Sequence, residues 1–564
     1  MQLPSICKAI IRIFLFNSLI FSHILSASEE EFEPAEVFHG ERLFLETRFA
    51  EYFYQYIHQG GDYNQPLEQG DAKLDKTYRF FGLPPYQIPF ATSPFKGSSF
   101  SCRTCHMVDE HLNQKELGMR AYSDFASRSP LSARNDKQTV TVRNSPQLIS
   151  SFVDKDYLLF HADGEFSSLQ ELIIGTLTQR NFGWLPNERA LASEHICNVI
   201  KNDNGNGDIA QEFGSISYTE MLSGKYSSGE ELPTEYLIDS NYQINVNKSS
   251  CNEILQAIAS LLEVYISDLQ FSQDELALSP YDTFLTLNQL PVSPQDNESD
   301  LEYSARLLSL INSLEKNNTL KFVTKNENTE NGQFRFHDQA YKFSNKELEG
   351  LKVFFNQDNH SSISTGNCIA CHAAPHFTDF KFHNIGVSQV EYEAIHGINS
   401  FNKLPVPNNA ARNKNANTYL PATNIHPDRK GVFRKVAQQS NSQHTDLGAW
   451  NILFNDDFPN PQESLLNIFC PADNKCSSKD IALQRSLATF KTPTLRNLGH
   501  TAPYMHNGQI SDLHAVMGFY LNASKNSLNG QMRNPDSELQ QMEIKATDID
   551  NLVHFLFSLY EDYH

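Results

Sequence analysis

The sequence lacks an excess of positive charge, lacks any long apolar run after its first 27 residues, and has few segments with strand-like alternation. Its 564 residues carry 45 Lys and Arg against 67 Asp and Glu, a formal net charge of −22. This charge argues against nucleic acid or an anionic membrane surface as the main partner. The missing apolar run excludes a stable membrane span in the later chain. The scarcity of alternating segments predicts a mainly α fold.

The N-terminus is organised like a secretory signal. Lys8 and Arg12 precede a largely apolar stretch at 13–25, and small residues at 25–27 offer a cleavage site. We therefore expect residues 1–27 to be removed and the protein to be periplasmic. An uncleaved anchor is the alternative, although the apolar stretch is short for a membrane span.

Two copies of the pentapeptide Cys-x-x-Cys-His occur at 102–106 and 368–372. This is the attachment signature of c-type haem: the two thiols add to the haem vinyl groups and the histidine is the proximal iron ligand. A zinc knuckle or a disulfide pair is disfavoured, because neither motif has a second Cys-x-x-Cys nearby to complete a tetrahedral site. The expected haem-binding residues are Cys102, Cys105 and His106 in the first motif, and Cys368, Cys371 and His372 in the second.

Four further cysteines remain once Cys7 is lost with the signal. An oxidising compartment permits disulfides between them. We favour Cys197–Cys251 and Cys470–Cys476, although four cysteines allow three connectivities.

The length suggests two or three domains. Each haem motif begins its own segment, and a polar, Asn- and Glu-rich stretch separates them. We expect a signal peptide at 1–27, an N-terminal extension at 28–94, a first haem domain at 95–290, a linker or insertion at 291–342, and a second haem domain at 343–564.

Helix signals are clear in both haem segments. Ser168 with Glu171, and Ser344 with Glu347, form the spacing of a capping box ahead of apolar residues with helical period. Long amphipathic patterns at 254–269 and 549–560 predict two more helices.

Several runs resemble the bacterial di-haem cytochrome c peroxidases and their MauG-like relatives. The most specific are Phe-Lys-Thr-Pro-Thr-Leu-Arg-Asn at 490–497 and Thr-Ala-Pro-Tyr-Met-His-Asn-Gly at 501–508. In the first segment, Arg-Asn-Ser-Pro at 143–146 and Asp-Gly at 163–164 are similar to the family's "RN-P … DGR" region. The resemblance implies two cytochrome c-like haem domains with long loops. It also implies that the first haem reacts with peroxide and the second transfers electrons.

The resemblance also bears on the sixth iron ligand of the second haem. Family members with small electron donors typically place a methionine on the helix after the His506 motif, and MauG-like members place a tyrosine. The matching position is Tyr520, with Met517 and Met505 as rivals. Phenolate ligation would lower the reduction potential and favour oxidised iron.

The first haem site departs from the family. No histidine lies in the loop 133–141, which implies a haem open to peroxide without reductive activation. The family's distal glutamine and glutamate map to Leu172 and Phe182, and neither side chain can move a proton. The nearby polar candidates for the catalytic role are Gln179, Arg180, Asn181 and His161.

The resemblance also bears on a bridging tryptophan and on a calcium site. The family's bridging tryptophan is absent, Phe160 or His161 takes its place, and Trp184 lies nearby as a substitute or a core aromatic. An interdomain calcium ion is common in the family. Its ligands map to the Asn144 side chain and the backbone carbonyls of Thr501 and Pro503. Separately, residues 202–209 resemble the start of a calcium loop without its closing glutamate, or an Asn/Gly-rich turn.

The function implied is a periplasmic di-haem peroxidase that reduces hydrogen peroxide. Its electron donor would be a small cytochrome c, a cupredoxin, or a side chain of a protein substrate in the MauG-like case. A di-haem electron carrier without peroxide chemistry, and a haem-dependent oxygenase, are the alternatives.

Overall fold

The structure is a computed structural model. It describes residues 33–64, 101–102, 105–106, 128, 131, 134–149, 158–270, 278–325, 340–496, 498 and 501–561, and the backbone of 110–111 and 119–120. The predicted signal peptide lies outside the described residues, as does much of the predicted N-terminal extension. Among the helices described, none combines the length and the apolar character that crossing a bilayer requires.

Helices in the first half pack around one long helix, α7. The helices are α1 (Ala35–Leu45), α2 (Glu51–His58), α3 (Leu169–Leu177), α4 (Arg189–Asn202), α5 (Asp208–Glu212), α6 (Tyr218–Ser223) and α7 (Cys251–Asp268). α7 begins at a capping box, in which the Glu253 carboxylate accepts from the Ser250 backbone N–H. α1, α3 and α4 pack against α7. α1 approaches closely because residue 40 is glycine: a Cβ there would lie 2.5 Å from the Leu261 carbonyl oxygen.

Helices in the second half are built around the pair α10 and α17. The helices are α8 (Pro280–Leu287), α9 (Asp300–Lys316), α10 (Asn345–Phe355), α11 (Val387–His396), α12 (Asn409–Lys414), α13 (Ala416–Tyr419), α14 (Gln462–Phe469), α15 (Lys479–Arg485), α16 (Leu513–Leu528) and α17 (Ile549–Phe557). α10 and α17 touch at Gly350, where a Cβ would lie 2.0 Å from the Asn551 carbonyl oxygen. α16 packs beside α17, and these helices share one apolar core.

The strands described are short, and only the second pair joins distant parts of the chain. β1 (Glu110–His111) pairs with β2 (Met119–Arg120), and β3 (Phe382–His383) pairs with β4 (Phe490–Lys491), both antiparallel. The second pair places Phe382 opposite Lys491 and brings the run after the second haem motif against the run at 490–497. Helices dominate the described residues, so the predicted mainly α class is confirmed.

Local predictions agree with the structure in most details. The Glu347 carboxylate accepts from the Ser344 backbone N–H at 2.8 Å, as the capping-box spacing predicts. The other proposed capping box is only half formed. The Ser168 hydroxyl accepts from the Glu171 N–H at 3.2 Å, but the Glu171 carboxylate accepts from the Ser167 hydroxyl. That prediction was wrong in this detail, because the neighbouring serine offers its own hydroxyl and backbone N–H to the same carboxylate.

Both favoured disulfides are present. Cys197–Cys251 ties α4 to the start of α7, and Cys470–Cys476 closes a short loop after α14. The cysteines of the haem motifs form no disulfide.

The segments predicted as an extension and as a linker contribute helices to the two cores. α1 lies in the extension and packs on α7 of the first segment. α9 lies in the linker and packs on α10, and its Ser304 hydroxyl accepts from the Ala374 N–H at 3.0 Å, just after the second motif. The domain boundaries stay a prediction.

Candidate haem sites

The two Cys-x-x-Cys-His motifs share one backbone hydrogen bond, from the histidine N–H to the carbonyl of the first cysteine. In the first, the His106 N–H donates to the Cys102 carbonyl at 2.8 Å. In the second, the His372 N–H donates to the Cys368 carbonyl, also at 2.8 Å. In each motif the second cysteine and the histidine both donate their backbone N–H to the first cysteine's carbonyl, so the three residues lie close together, as attachment to one haem requires. The four motif cysteines are free thiols, whereas the other four described cysteines are paired.

Both motif histidines are prepared to bind a metal as neutral rings. Burial lowers the pKa of His106 and of His372 to about 4. The His372 Nδ1 lies 2.8 Å from the Phe377 carbonyl oxygen, which fixes the tautomer and leaves Nε2 as the ligand atom. The donor set of each motif thus fits a c-type haem.

One cavity of about 1410 Å³ reaches both motifs. Lys491 lines it, with its ammonium 5.3 Å from the centre of the Phe160 ring and 5.5 Å from that of Phe380. In the described part of the chain, no carboxylate lies within ion-pair distance of this ammonium, and burial lowers its pKa to about 8. A buried cation without a counter-charge is costly. Lys491 therefore fits an anionic group in the cavity, such as a haem propionate.

Tyr520 lies on α16 beside the second motif. Burial raises its pKa, as do the Cys368 and Cys371 thiols. Met517 and Met505 line the same cavity. The structure therefore brings all three predicted ligand candidates to this cavity, and the assignment to Tyr520 stays a prediction.

His383 is a neighbour of the second motif to which sequence reasoning assigned no role. Its Nδ1 lies 2.5 Å from Asp536 Oδ2 and its Nε2 lies 2.9 Å from Asp379 Oδ2. Burial disfavours its charge, but Cys371, Asp379 and Asp536 together raise its pKa well above the usual value. Thioether formation at Cys371 would remove that contribution and leave the two carboxylates. The result is a fixed ion pair beside the second haem attachment site.

The four polar candidates for catalysis all line the cavity on the side of the first motif: His161, Gln179, Arg180 and Asn181. Arg180 is held by Asp136, with Nε at 2.6 Å from Oδ2. His161 instead has its Nδ1 at 3.0 Å from Glu165 Oε2. Leu172 and Phe182 also line the cavity, so the wall is apolar at both positions where the family has its distal amide and acid.

The sequence did not predict a buried ionic network that lies beside the first motif. Arg143 binds Asp446 (Nε–Oδ2, 2.7 Å) and Asp163 (Nη1–Oδ2, 2.8 Å). Arg434 lies 3.3 Å from Asp163 and also pairs with Glu165. The network joins the two halves of the chain. The sequence did carry one signal for it: Glu165 stands where the family's "DGR" run has arginine.

The predicted calcium ligands are close together but do not present only oxygen atoms. The Asn144 side-chain amide donates to the Pro503 carbonyl at 2.7 Å and to the Met505 carbonyl at 3.2 Å. Asn144 Oδ1 is buried with no hydrogen-bond partner among the described residues. Calcium takes oxygen ligands, so binding would require the amide to turn over. Thr501 lines the same cavity, and the calcium site stays a prediction.

Two other candidates have structural roles. The Asp203 carboxylate, from the calcium-like loop, binds Arg42 at 3.1 Å and Arg48 at 2.9 Å, which favours the turn interpretation of residues 202–209. Trp184 is fully buried and donates its indole N–H to the Phe49 carbonyl at 3.3 Å, as a core aromatic does.

Comparison with known proteins agrees with the resemblance in the sequence. No family model matches the chain. Cytochrome-c peroxidase IdrP2 of Denitromonas iodatirespirans is 29% identical over 216 residues, which cover 38% of this chain and 40% of the relative. The chain therefore matches less than half the length of this relative. The match confirms the predicted resemblance to cytochrome c peroxidases.

Solved structures of similar proteins are more distant. The di-haem peroxidase BthA from Burkholderia thailandensis aligns with a TM-score of 0.43 and 14% identity, over 94% of this chain and 88% of that one. A MauG-like protein associated with microbial copper homeostasis aligns with a TM-score of 0.41 and 13% identity, over 95% and 96%. Residue roles do not carry over at these identities, so they are argued from this chain's own contacts.

Proposed function

We propose that the protein is a periplasmic di-haem c-type peroxidase. Hydrogen peroxide would be reduced at the haem held by His106, and electrons would pass through the haem held by His372. The observation that carries the proposal is a cavity lined by both motifs, each of which has the same hydrogen bond from its histidine to its first cysteine. The name of the curated relative, a cytochrome-c peroxidase, points to the same reaction.

The proposed function assigns separate roles to residues of this chain. A bound haem supplies the iron at which peroxide is reduced. Cys102 and Cys105 would hold the first haem, and Cys368 and Cys371 the second. Reduction consumes two electrons and two protons and yields two molecules of water. His161, Gln179, Arg180 and Asn181 are the proposed polar groups around the reacting peroxide, and calcium at Asn144, Thr501 and Pro503 would brace the two halves.

Tyr520 favours a MauG-like version of this function. A phenolate on the second haem iron would stabilise oxidised states, and the ultimate reductant would then be a side chain of a partner protein. A small cytochrome c or a cupredoxin is the donor if Met517 or Met505 is the ligand.

A di-haem electron carrier is the second candidate. The observation in its favour is the apolar wall at Leu172 and Phe182, where the family has groups that assist O–O cleavage.

One experiment separates the two functions. Purified ferric protein is mixed with hydrogen peroxide, the Soret band is followed, and donor oxidation is measured. A peroxidase changes its Soret band and oxidises the donor, and the His106→Gly variant loses the change. His372→Gly serves as the matched control at the other motif and should keep the first spectral step. An unchanged Soret band in the wild-type protein, with no donor oxidised, would exclude the peroxidase function and support the electron-carrier function.

A further inference from the structure

We propose that His161 transfers the proton during peroxide cleavage at the first haem, and that Glu165, held by Arg434, is the positioning residue for its ring. This inference rests on the proposed peroxidase function and deepens it. His161 would take the role of the family's distal amide and acid, whose positions Leu172 and Phe182 occupy in this chain.

The hydrogen bond between the two side chains fixes the tautomer of His161. Its Nδ1 lies 3.0 Å from Glu165 Oε2. A carboxylate only accepts, so Nδ1 carries the hydrogen and Nε2 keeps its lone pair. The Glu165 side chain is 4% exposed and that of His161 is 29% exposed. The pair therefore has a buried anchor and a ring that borders the cavity, the arrangement needed for a general base.

The backbone holds both residues on one tight turn. Phe160 and Phe166 form an antiparallel bridge that closes the turn, and the Gly164 N–H donates to the His161 carbonyl at 3.3 Å. His161 has φ of 62°, an uncommon conformation for a residue with a side chain. Its ring meets the Phe166 ring edge to face, with centroids 4.9 Å apart. Such strained, over-determined positions are concentrated at functional sites.

An arginine from the other half of the chain stabilises the charged form of Glu165. Arg434 pairs with Glu165 although 269 residues separate them. Burial alone would raise the pKa of Glu165, but Arg434 and His161 hold it far below its usual range. A permanent carboxylate favours the imidazolium that forms when His161 accepts a proton.

His161 is the one side chain of the four proposed polar groups with a ring nitrogen whose lone pair can accept a proton and hand it on. Gln179 and Asn181 are amides, and Arg180 is a guanidinium tied to Asp136. In the proposed step, His161 Nε2 would take one proton from hydrogen peroxide and return it to the oxygen that departs as water. Haems held by the two motifs would supply the two electrons that break the O–O bond, and the external donor would restore them.

Cyanide binding to the ferric first haem tests the step without turnover, because hydrogen cyanide must lose its proton as cyanide binds iron. His161→Gly removes the ring without backbone strain, since glycine favours a φ of 62°. Glu165→Gln removes the charge and keeps the shape. Asp446→Asn is the matched control, because Asp446 belongs to the same ionic network and pairs with Arg143 rather than with His161.

We expect His161→Gly to lower the association rate constant about 100-fold, the scale of general acid–base catalysis. Glu165→Gln should lower it about tenfold, as loss of an orienting partner does, and Asp446→Asn should change it less than about twofold.

Two results would overturn the inference. One is an unchanged rate constant in His161→Gly. The other is an equal loss in Glu165→Gln and Asp446→Asn, which would make the network a structural brace. Failure of the proposed function gives a different pattern: cyanide binding depends on His161, yet peroxide leaves the wild-type Soret band unchanged.

Discussion

The substitution Asp203→Asn should loosen the packing of α1 on the first core. Asp203 is buried and pairs with two guanidiniums, Arg42 at 3.1 Å and Arg48 at 2.9 Å. Arg48 keeps a second partner, because Glu46 binds its Nη2 at 2.6 Å. Arg42 loses its carboxylate and retains the Ile216 carbonyl.

Removing one partner from a buried ion pair costs about 3–5 kcal/mol. The amide oxygen of the new asparagine still accepts a hydrogen bond, so we take the lower end, about 3 kcal/mol. Since about 1.4 kcal/mol is a factor of ten, local opening of α1 should become roughly 100-fold more frequent. Hydrogen exchange of α1 peptides measures this directly.

Two variants sharpen the measurement. Glu235→Gln removes an exposed acid from the same half and should leave exchange unchanged. Arg42→Met combined with Asp203→Asn should restore part of the protection, because the uncompensated guanidinium is gone. Equal exchange in Asp203→Asn and Glu235→Gln would refute the reasoning.

Three further predictions concern the second haem, acid stability and helix packing. Tyr520→Phe should change the spectrum and reduction potential of the second haem and leave the first nearly intact; an unchanged second haem would exclude phenolate ligation. Burial would raise the pKa of Glu46, but Arg48 holds it at about 2 against a usual 4.5. The contribution of Glu46 to the free energy of unfolding is therefore present above about pH 4.5 and lost as pH falls toward 2. Glu46→Gln should flatten that part of the acid unfolding curve. Gly350→Ala places a Cβ 2.0 Å from the Asn551 carbonyl oxygen and should cost about 1–3 kcal/mol by thermal unfolding. Gly518→Ala on α16 meets nothing within 4 Å and should be neutral or slightly stabilising; equal losses would count against close packing as the cause.

The features that the sequence predicted well depend on short-range chemistry. The turn of Cys-x-x-Cys-His, the capping residues Ser344 and Glu347, and the amphipathic pattern of α7 each involve residues less than a few turns apart. Local spacing therefore contains nearly all the information that fixes them.

The features that it missed depend on contacts between distant segments. Glu165 and Arg434 lie 269 residues apart, and each is an ordinary surface residue type when considered alone. The half-formed capping box shows the same limit at short range. Ser167 competes with Ser168 for the Glu171 carboxylate, and spacing alone does not rank two adjacent donors.

The network around Arg143 and Arg434 makes the first haem site dependent on both halves of the chain. The first segment supplies His106, His161 and Glu165, but Arg434 and Lys491 come from the second. Without the second segment, Glu165 would lose the cation that keeps it ionised, and its carboxyl group would tend to protonate in a buried setting. Protonated Glu165 would no longer be the carboxylate that orients the His161 ring through Nδ1. The contact between the halves therefore keeps Glu165 ionised.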